Sequence, residues 1–400
     1  MIKIGNLEID KFYLGDTSDA KIYLGDVKVW PKEEEEPETY PYAFKRVSRG
    51  GSAYTVDCNS TSSNTVSSAD THSGLKYEID DSTSNNTPVS VVFGDCCQSI
   101  GDRACDGWTY LTSVTISDNV TSLGANSFYN TPRVEHLEIG SGITQINQSY
   151  TFRNTSSSAS TKPDLDLSAN VGLNVGKNAF YNCYFNNVIF PKNCTLSSLS
   201  FQYCSASRLS FGNGTKISDV NSYSSVFYNC NISNIDLNGV TLIGNYAFSY
   251  ISGFTSITIP PSVTTFGRYA FASVSTLNSV TIDYASNAIV GGYQFTGSSI
   301  TSLTIGSHPT SIGNSMFTNC TKLTTLVIPS NISSINNYAF SGCTGLTSIT
   351  VHSTTPPTLG YEAFNNTNNC PIYVPPESVD AYKAASRWSS YASRIQAIPT

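Results

Sequence analysis

From about position 89 to the C-terminal end, apolar residues recur at steps of three and then two: Leu111, Val114, Ile116; Val134, Leu137, Ile139; Phe254, Ile257, Ile259; Leu277, Val280, Ile282; Leu323, Leu326, Ile328; Leu346, Ile349, Val351. The positions between them are mostly Ser and Thr. A chain entering a strand from a turn has this spacing, with inward side chains stacked on those of the next copy. A shorter apolar segment follows each strand, at 120–123, 263–266 and 332–335, and supplies an opposite wall. An aromatic comes next, as Phe128, Phe152, Phe180, Phe201, Phe227, Phe248, Phe271, Phe295, Phe317, Phe340 and Phe364, at intervals of 21 to 28 residues. A fixed period of that length predicts a β-rich solenoid of stacked coils with short turns.

The unit between the walls reads G-x-x-A-F-x-x-C, as in Gly244, Ala247, Phe248 or Gly313, Phe317, Cys320. Glycine is expected to permit the turn that leaves the second wall, alanine to keep the backbone close to its neighbour, and phenylalanine to plug the coil. Cys105 holds the aromatic slot in the first unit. Cys183, Cys204, Cys230, Cys320 and Cys343 each come three residues after a repeat aromatic, which marks a small buried slot and reads as packed thiol rather than metal or redox chemistry.

Outside the array the pattern changes. Residues 1–31 hold KFYLGD and KIYLGD ten residues apart, followed by VKVWP. Alternation through Ile22, Tyr23, Leu24 and Val27 to Trp30 around Gly-Asp predicts a β-hairpin. A lone hairpin is marginal in water, so Phe12, Tyr13, Leu14, Ile22, Tyr23, Leu24, Val29 and Trp30 need a covering surface and form a candidate docking segment. Residues 32–39 contain four consecutive glutamates and read as an extended linker. Residues 40–88, with strand-like YAFKRV, AYTVDC and LKYEI, are expected to cap the open first coil, and the regular array runs over 89–369 with Val89–Phe93 as its first strand. Between 151 and 230 extra residues predict surface loops. At 370–400, PIYVP reads as a last strand, and Pro375 and Pro376 open a helix with Val379, Tyr382, Ala385, Trp388 and Ile395 on one side. Laid over the final coil, that helix predicts an array complete at this end.

Composition narrows the function classes. Of 400 residues only 13% are charged, the formal net charge is −7, and no basic run exists, so nucleic-acid and anionic-membrane partners are excluded. No segment approaches the ~18 apolar residues of a spanning helix, and the first residues lack a signal-type apolar core, so membrane insertion and signal-directed export are not expected. Eleven cysteines, an odd number, do not suggest a disulfide framework. His72, His136, His308 and His352 fall in separate repeats, Cys96 and Cys97 are adjacent, and Asp164 with Asp166 reads as a solvated loop before a glycosidase pair. The expectation is no catalytic residue, no metal site and no cofactor.

The unit G-x-x-A-F-x-x-C-x-x-L-x-x-I-x-I-P, carried by Phe248, Phe271 and Phe340 with Ile259-Pro260 and Ile328-Pro329, and the closing IYVP…SVDAYKAA, resemble the BspA-like leucine-rich-repeat family over about three quarters of the chain. That resemblance implies a curved right-handed solenoid with a concave β-lined face, used for adhesion or recognition rather than catalysis. The KFYLGD/KIYLGDVKVW pair resembles N-terminal docking segments of fibre and tail-associated proteins in phages of gut bacteria. Together they imply a virion structural protein, assembled in the host cytoplasm, docked to other virion proteins through residues 1–31 and presenting its solenoid to a host-surface glycan or protein. A homo-oligomer such as a trimer is compatible with that role. The alternative is a bacterial surface adhesin of the same repeat family, and a glycan-cleaving fibre enzyme comes third.

The candidate binding face is the outward side of the strands, where hydroxyls repeat: Thr115, Ser256, Thr258, Ser279, Thr281, Ser302, Thr304, Ser348 and Thr350. Hydroxyl rows also suit a β surface that merely resists edge aggregation.

Overall fold

The computed structural model describes residues 90–95, 97–157, 160–217 and 225–399 in full, and before them the backbone of strands Ile2–Ile4, Leu7–Ile9, Ile22–Leu24, Val27–Trp30, Ala43–Arg46, Ala53–Asp57, Thr65–Val66 and Val89–Phe93. Two compact units are present, one of residues 1–43 with 58–63, the other of 44–57 with 64–400.

The first unit contains two antiparallel pairs. Ile22–Leu24 pairs with Val27–Trp30, as the alternation predicts, and Ile2–Ile4 pairs with Leu7–Ile9, a pairing that the residue pattern did not announce. Phe12, Tyr13, Leu14, the linker 32–39 and LKYEI lie outside the described residues.

The second unit is the predicted solenoid. Its longer strands pair in parallel from coil to coil, for example Ser256–Ile259 with Ser279–Ile282 and that with Ser302–Ile305. Short strands form the opposite wall, with Ser334–Ile335 between Ser311–Ile312 and Thr358–Leu359. The inward triplets are buried as the spacing requires: Leu277, Val280, Ile282, Leu346, Ile349 and Val351 have at most 1% of their surface exposed. Ala53–Asp57 pairs in parallel with Val89–Phe93 and Thr65–Val66 with Ser99–Ile100, so the ladder extends one coil before Val89.

Between the walls the phenylalanines form one column. Phe295, Phe317 and Phe340 stack at centroid separations of 5.3 and 5.4 Å with planes within 8° of parallel, and the column continues from Phe128 to Phe364. Offset stacking at strand spacing lets each ring contact both neighbours. Cys105 occupies the same slot in its coil: its N–H donates to Ser127 O, just as that of Phe128 donates to Thr151 O.

The repeat glycine has a different reason from the expected one. Gly124, Gly176, Gly267 and Gly360, four residues before their aromatics, are not among the glycines with positive φ; instead an added Cβ would press into the backbone of the preceding coil, at Gly244 and Asn245 for Gly267. Close approach, not turn geometry, selects glycine here.

The C-terminal cap also differs in detail. The helix ends after six residues, Val379–Ala384, because Ala385 is extended at φ −65°, ψ 145°. A 3-10 segment, Trp388–Arg394, comes next, and Ile395–Ala397 adds a further parallel strand beside Ile372–Val374. One continuous helix through Ile395 would have left the carbonyls of the last coil unpaired. The broken path instead brings Trp388 Nε1 to Pro357 O at 2.7 Å, Tyr382 OH to Ser353 O at 2.8 Å and Arg394 Nε to Cys370 O at 2.7 Å. Trp388 and Tyr391 close the aromatic column against Phe364.

Candidate recognition surfaces

On the strand face, side chains at alternate positions point out of the coil. Parallel register sets Ser256, Ser279 and Ser302 side by side in one row and Thr258, Thr281 and Thr304 in a second. All six are exposed or half-buried. Of the other candidates, Thr115 lies alone between Val92 and Glu138, while Ser348 and Thr350 belong to a separate sheet where Val327 interrupts the row. Six of the nine predicted positions therefore form one patch.

That patch borders a break in the strand ladder. The sheet ending at Ser252–Gly253 and the sheet beginning at Ser256–Ile259 are separate, and a cleft of about 360 Å³ opens there, lined by Arg208, Asn234, Asp236, Asn238, Ser256 and Thr258 among others. Arg208 Nη2 donates to Asp236 Oδ2 at 3.1 Å, a pair half open to solvent. Charge, amide and hydroxyl groups converge on this cleft, which the spacing of hydroxyls alone did not reveal.

The turn edge carries a second surface. Around the repeat aromatics other than Phe227, the residues two before and two after take positive φ: Tyr269 at 56° and Ser273 at 57° flank Phe271, and Tyr338 and Gly342 flank Phe340. This geometry aims the N–H groups at both positions, and of the aromatic itself, at the next coil, as with Tyr338 to Tyr361 O, Phe340 to Ala363 O and Gly342 to Asn365 O. Asn and Gly suit such positions, whereas a bulky residue there loses about 1–2 kcal/mol. Yet the leading position holds Tyr150, Tyr246, Tyr269, Tyr293 and Tyr338. Tyr246, Tyr269 and Tyr293 stack at 5.0 and 4.8 Å with planes 11° and 10° apart, which offsets part of that cost. A second zigzag runs through Tyr150, Tyr181, Tyr203, Tyr228 and Tyr250, edge to face, with the Arg153 guanidinium 4.8 Å from the Tyr181 ring. The signal was present in N-Y-A-F, R-Y-A-F and G-Y-Q-F, one tyrosine in each copy.

The acidic residues weighed for chemistry accept hydrogen bonds from nearby groups. Asp164 Oδ1 accepts from Asn186 Nδ2 and from the N–H and Nδ2 of Asn187, and Asp166 Oδ1 accepts from Ser168 N–H. His308 Nδ1 lies 2.9 Å from Asp283 Oδ1, and His136 sits 3.8 Å from Glu138. His72 and Cys96 lie outside the described residues. Among the described residues no group of three His, Cys, Asp or Glu side chains is placed to hold a metal ion, and nine cysteines are buried and outside any disulfide.

The profile of the BspA type leucine rich repeat region matches residues 78–171, 173–291 and 288–386. The chain belongs to that family. Solved structures similar to this BspA-type chain include a leucine-rich repeat protein from Bacteroides ovatus, 18% identical over 90% of this chain and 99% of the other, with a TM-score of 0.37. A leucine rich cell surface protein from Faecalibacterium prausnitzii is 19% identical over 90% and 97%, with a TM-score of 0.30. The pneumococcal vaccine antigen PcpA is 12% identical over 90% and 98%, with a TM-score of 0.36. No curated protein matches the sequence.

Proposed function

We propose that this chain is a non-catalytic adhesion or recognition protein of a bacterial surface, binding a glycan or protein through the strand face of its solenoid. The observation that carries the reading is the pair of in-register rows, Ser256-Ser279-Ser302 and Thr258-Thr281-Thr304, running into the Arg208–Asp236 cleft. Such a surface offers many hydrogen-bond donors and acceptors on a rigid frame, which suits a polar polymeric ligand better than a buried small molecule. Membership of the BspA-type family supports adhesion over catalysis.

A second reading, a virion appendage docked through residues 1–31, draws on the separate N-terminal unit with its two antiparallel strand pairs. The two readings part on location. Mass spectrometry of cell envelopes, dense particles and cytosol from the source culture would find the chain in envelopes under the first, and in particles at fixed ratio to the shell protein under the second.

The strand-face reading itself is tested by Ser279→Glu with Ser302→Glu, which places two carboxylates in one row. Binding of the full chain to an array of immobilised host glycans and glycoproteins should fall by about tenfold or more, the factor expected from losing one or two good polar contacts. Unchanged binding would rule this face out.

A further inference from the structure

The tyrosine ladder on the turn edge has a missing rung. Tyr246, Tyr269 and Tyr293 stack in consecutive coils, the next coil presents Ser315 at the same backbone position, and Tyr338 resumes the series one coil later. Ser315 is 3% exposed and has φ 50°, close to the 56–61° of its tyrosine neighbours, so the backbone there is built for the same rung and the side chain is simply absent. A cleft of about 430 Å³ fills the space, lined by Arg268, Gly291, Gly292, Tyr293, Asn314, Ser315, Asn337 and Tyr338. Tyr293 and Tyr338 stand two strand spacings apart, about 10 Å. A gap of that width takes one ring, and its amide lining favours a hydroxylated ring over an aromatic one.

The polar groups are arranged for a hydroxylated, anionic guest. Asn314 and Asn337 bring amides to the walls, and Asn337 Oδ1 already accepts from Tyr361 N–H, which directs its Nδ2 donors elsewhere. Arg268 lines the cleft with its guanidinium 5.9 Å from the Tyr293 ring, and among the described residues no carboxylate pairs with it. Gly291 makes room for this: a Cβ there would lie 2.7 Å from Arg268 Cγ. An unpaired guanidinium beside an aromatic wall favours a carboxylate-bearing ligand.

We infer that the Tyr293–Ser315–Tyr338 cleft binds a carboxylate-bearing pyranose, a uronic or sialic acid residue, sandwiched between the two tyrosines and held by Arg268. The site lies apart from the hydroxyl rows and stands whether or not that face binds anything.

The test uses the full chain titrated with D-glucuronic acid, N-acetylneuraminic acid and D-glucose by saturation-transfer NMR and calorimetry. The parent should bind at least one of the acids about tenfold more tightly than glucose. Ser315→Tyr restores the rung at a backbone position that neighbouring tyrosines already occupy, so it should abolish binding while a cooperative melt and an unchanged circular dichroism spectrum show that the fold is kept. Arg268→Gln, at an exposed position, should reduce the acid to the level of glucose. The titrations are repeated in the Ser279→Glu, Ser302→Glu background, where acid binding that persists and is then lost on adding Ser315→Tyr reports this cleft and not the strand face. Failure of the parent to bind either acid, equal affinity for acid and glucose, or undiminished binding by Ser315→Tyr would overturn the assignment.

Discussion

The thiol of Cys343 donates to the carbonyl of Phe317, one coil earlier, at 3.1 Å. The same contact is made by Cys320 to Phe295 at 3.4 Å, Cys230 to Phe201 at 2.7 Å and Cys204 to Phe180 at 2.8 Å, and it is made by hydroxyls where cysteine is replaced: Ser298 to Phe271 and Thr155 to Phe128. The slot three residues after each aromatic therefore selects for a small donor as well as for small volume. Its partner carbonyl already accepts one backbone N–H, Cys320 N to Phe317 O at 3.2 Å, so the thiol supplies the second bond. Ile251 and Val274, in two coils, show that the second bond is dispensable.

Cys343→Ser should accordingly be nearly neutral, while Cys343→Val, similar in volume but without a donor, should cost about 0.5–1.5 kcal/mol. Urea unfolding midpoints of the two variants check the order. A valine variant more stable than the serine variant would mean that volume alone governs the slot.

Burial pushes the Cys343 and Cys194 thiols up to about 12, and pushes Cys105 and Cys320 higher than the ordinary thiol range. Unfolded thiols ionise at about 8.5, so between these values the unfolded chain has lost protons that the folded chain keeps. The stabilising contribution is intact below the unfolded value and declines as pH rises toward the folded one. Thermal melting should be insensitive to these groups through neutral pH and fall steadily above about pH 9, and Cys343→Ser should lessen the slope. Melting temperatures recorded across alkaline pH test the sign.

Phe340 contacts Phe317 on one side at 5.4 Å and Phe364 on the other at 5.8 Å, with no exposed surface. Truncation in mid-column removes both contacts and leaves a cavity that rigid coils cannot collapse, so Phe340→Ala should lower stability by about 3–5 kcal/mol. Denaturant unfolding that matched the parent would place Phe340 outside the column.

Much of this architecture was legible in the residues. The steps of three and two named Leu277, Val280 and Ile282 as inward, the aromatic period named the Phe column, and the alternation around Gly-Asp named the pairing of Ile22–Leu24. The cap was visible in outline but not in path: Tyr382 and Trp388 suggest one helical face, while their hydrogen bonds to Ser353 and Pro357 are met only because the helix breaks at Ala385. Gly267 resembles a turn residue in sequence, because sequence displays a glycine's neighbours along the chain and hides those in the adjacent coil.

The sequence by itself determined which residues of each coil face inward, because that depends on local strand alternation and on burial of apolar surface. Only the tertiary structure decided what meets laterally. Ser256 and Ser279, or Tyr293 and Ser315, are neighbours through parallel registers set by backbone hydrogen bonds between coils 21 to 28 residues apart. Those registers turned scattered hydroxyls into two rows, left a break beside Arg208 and Asp236, and made one serine among tyrosines into a cleft.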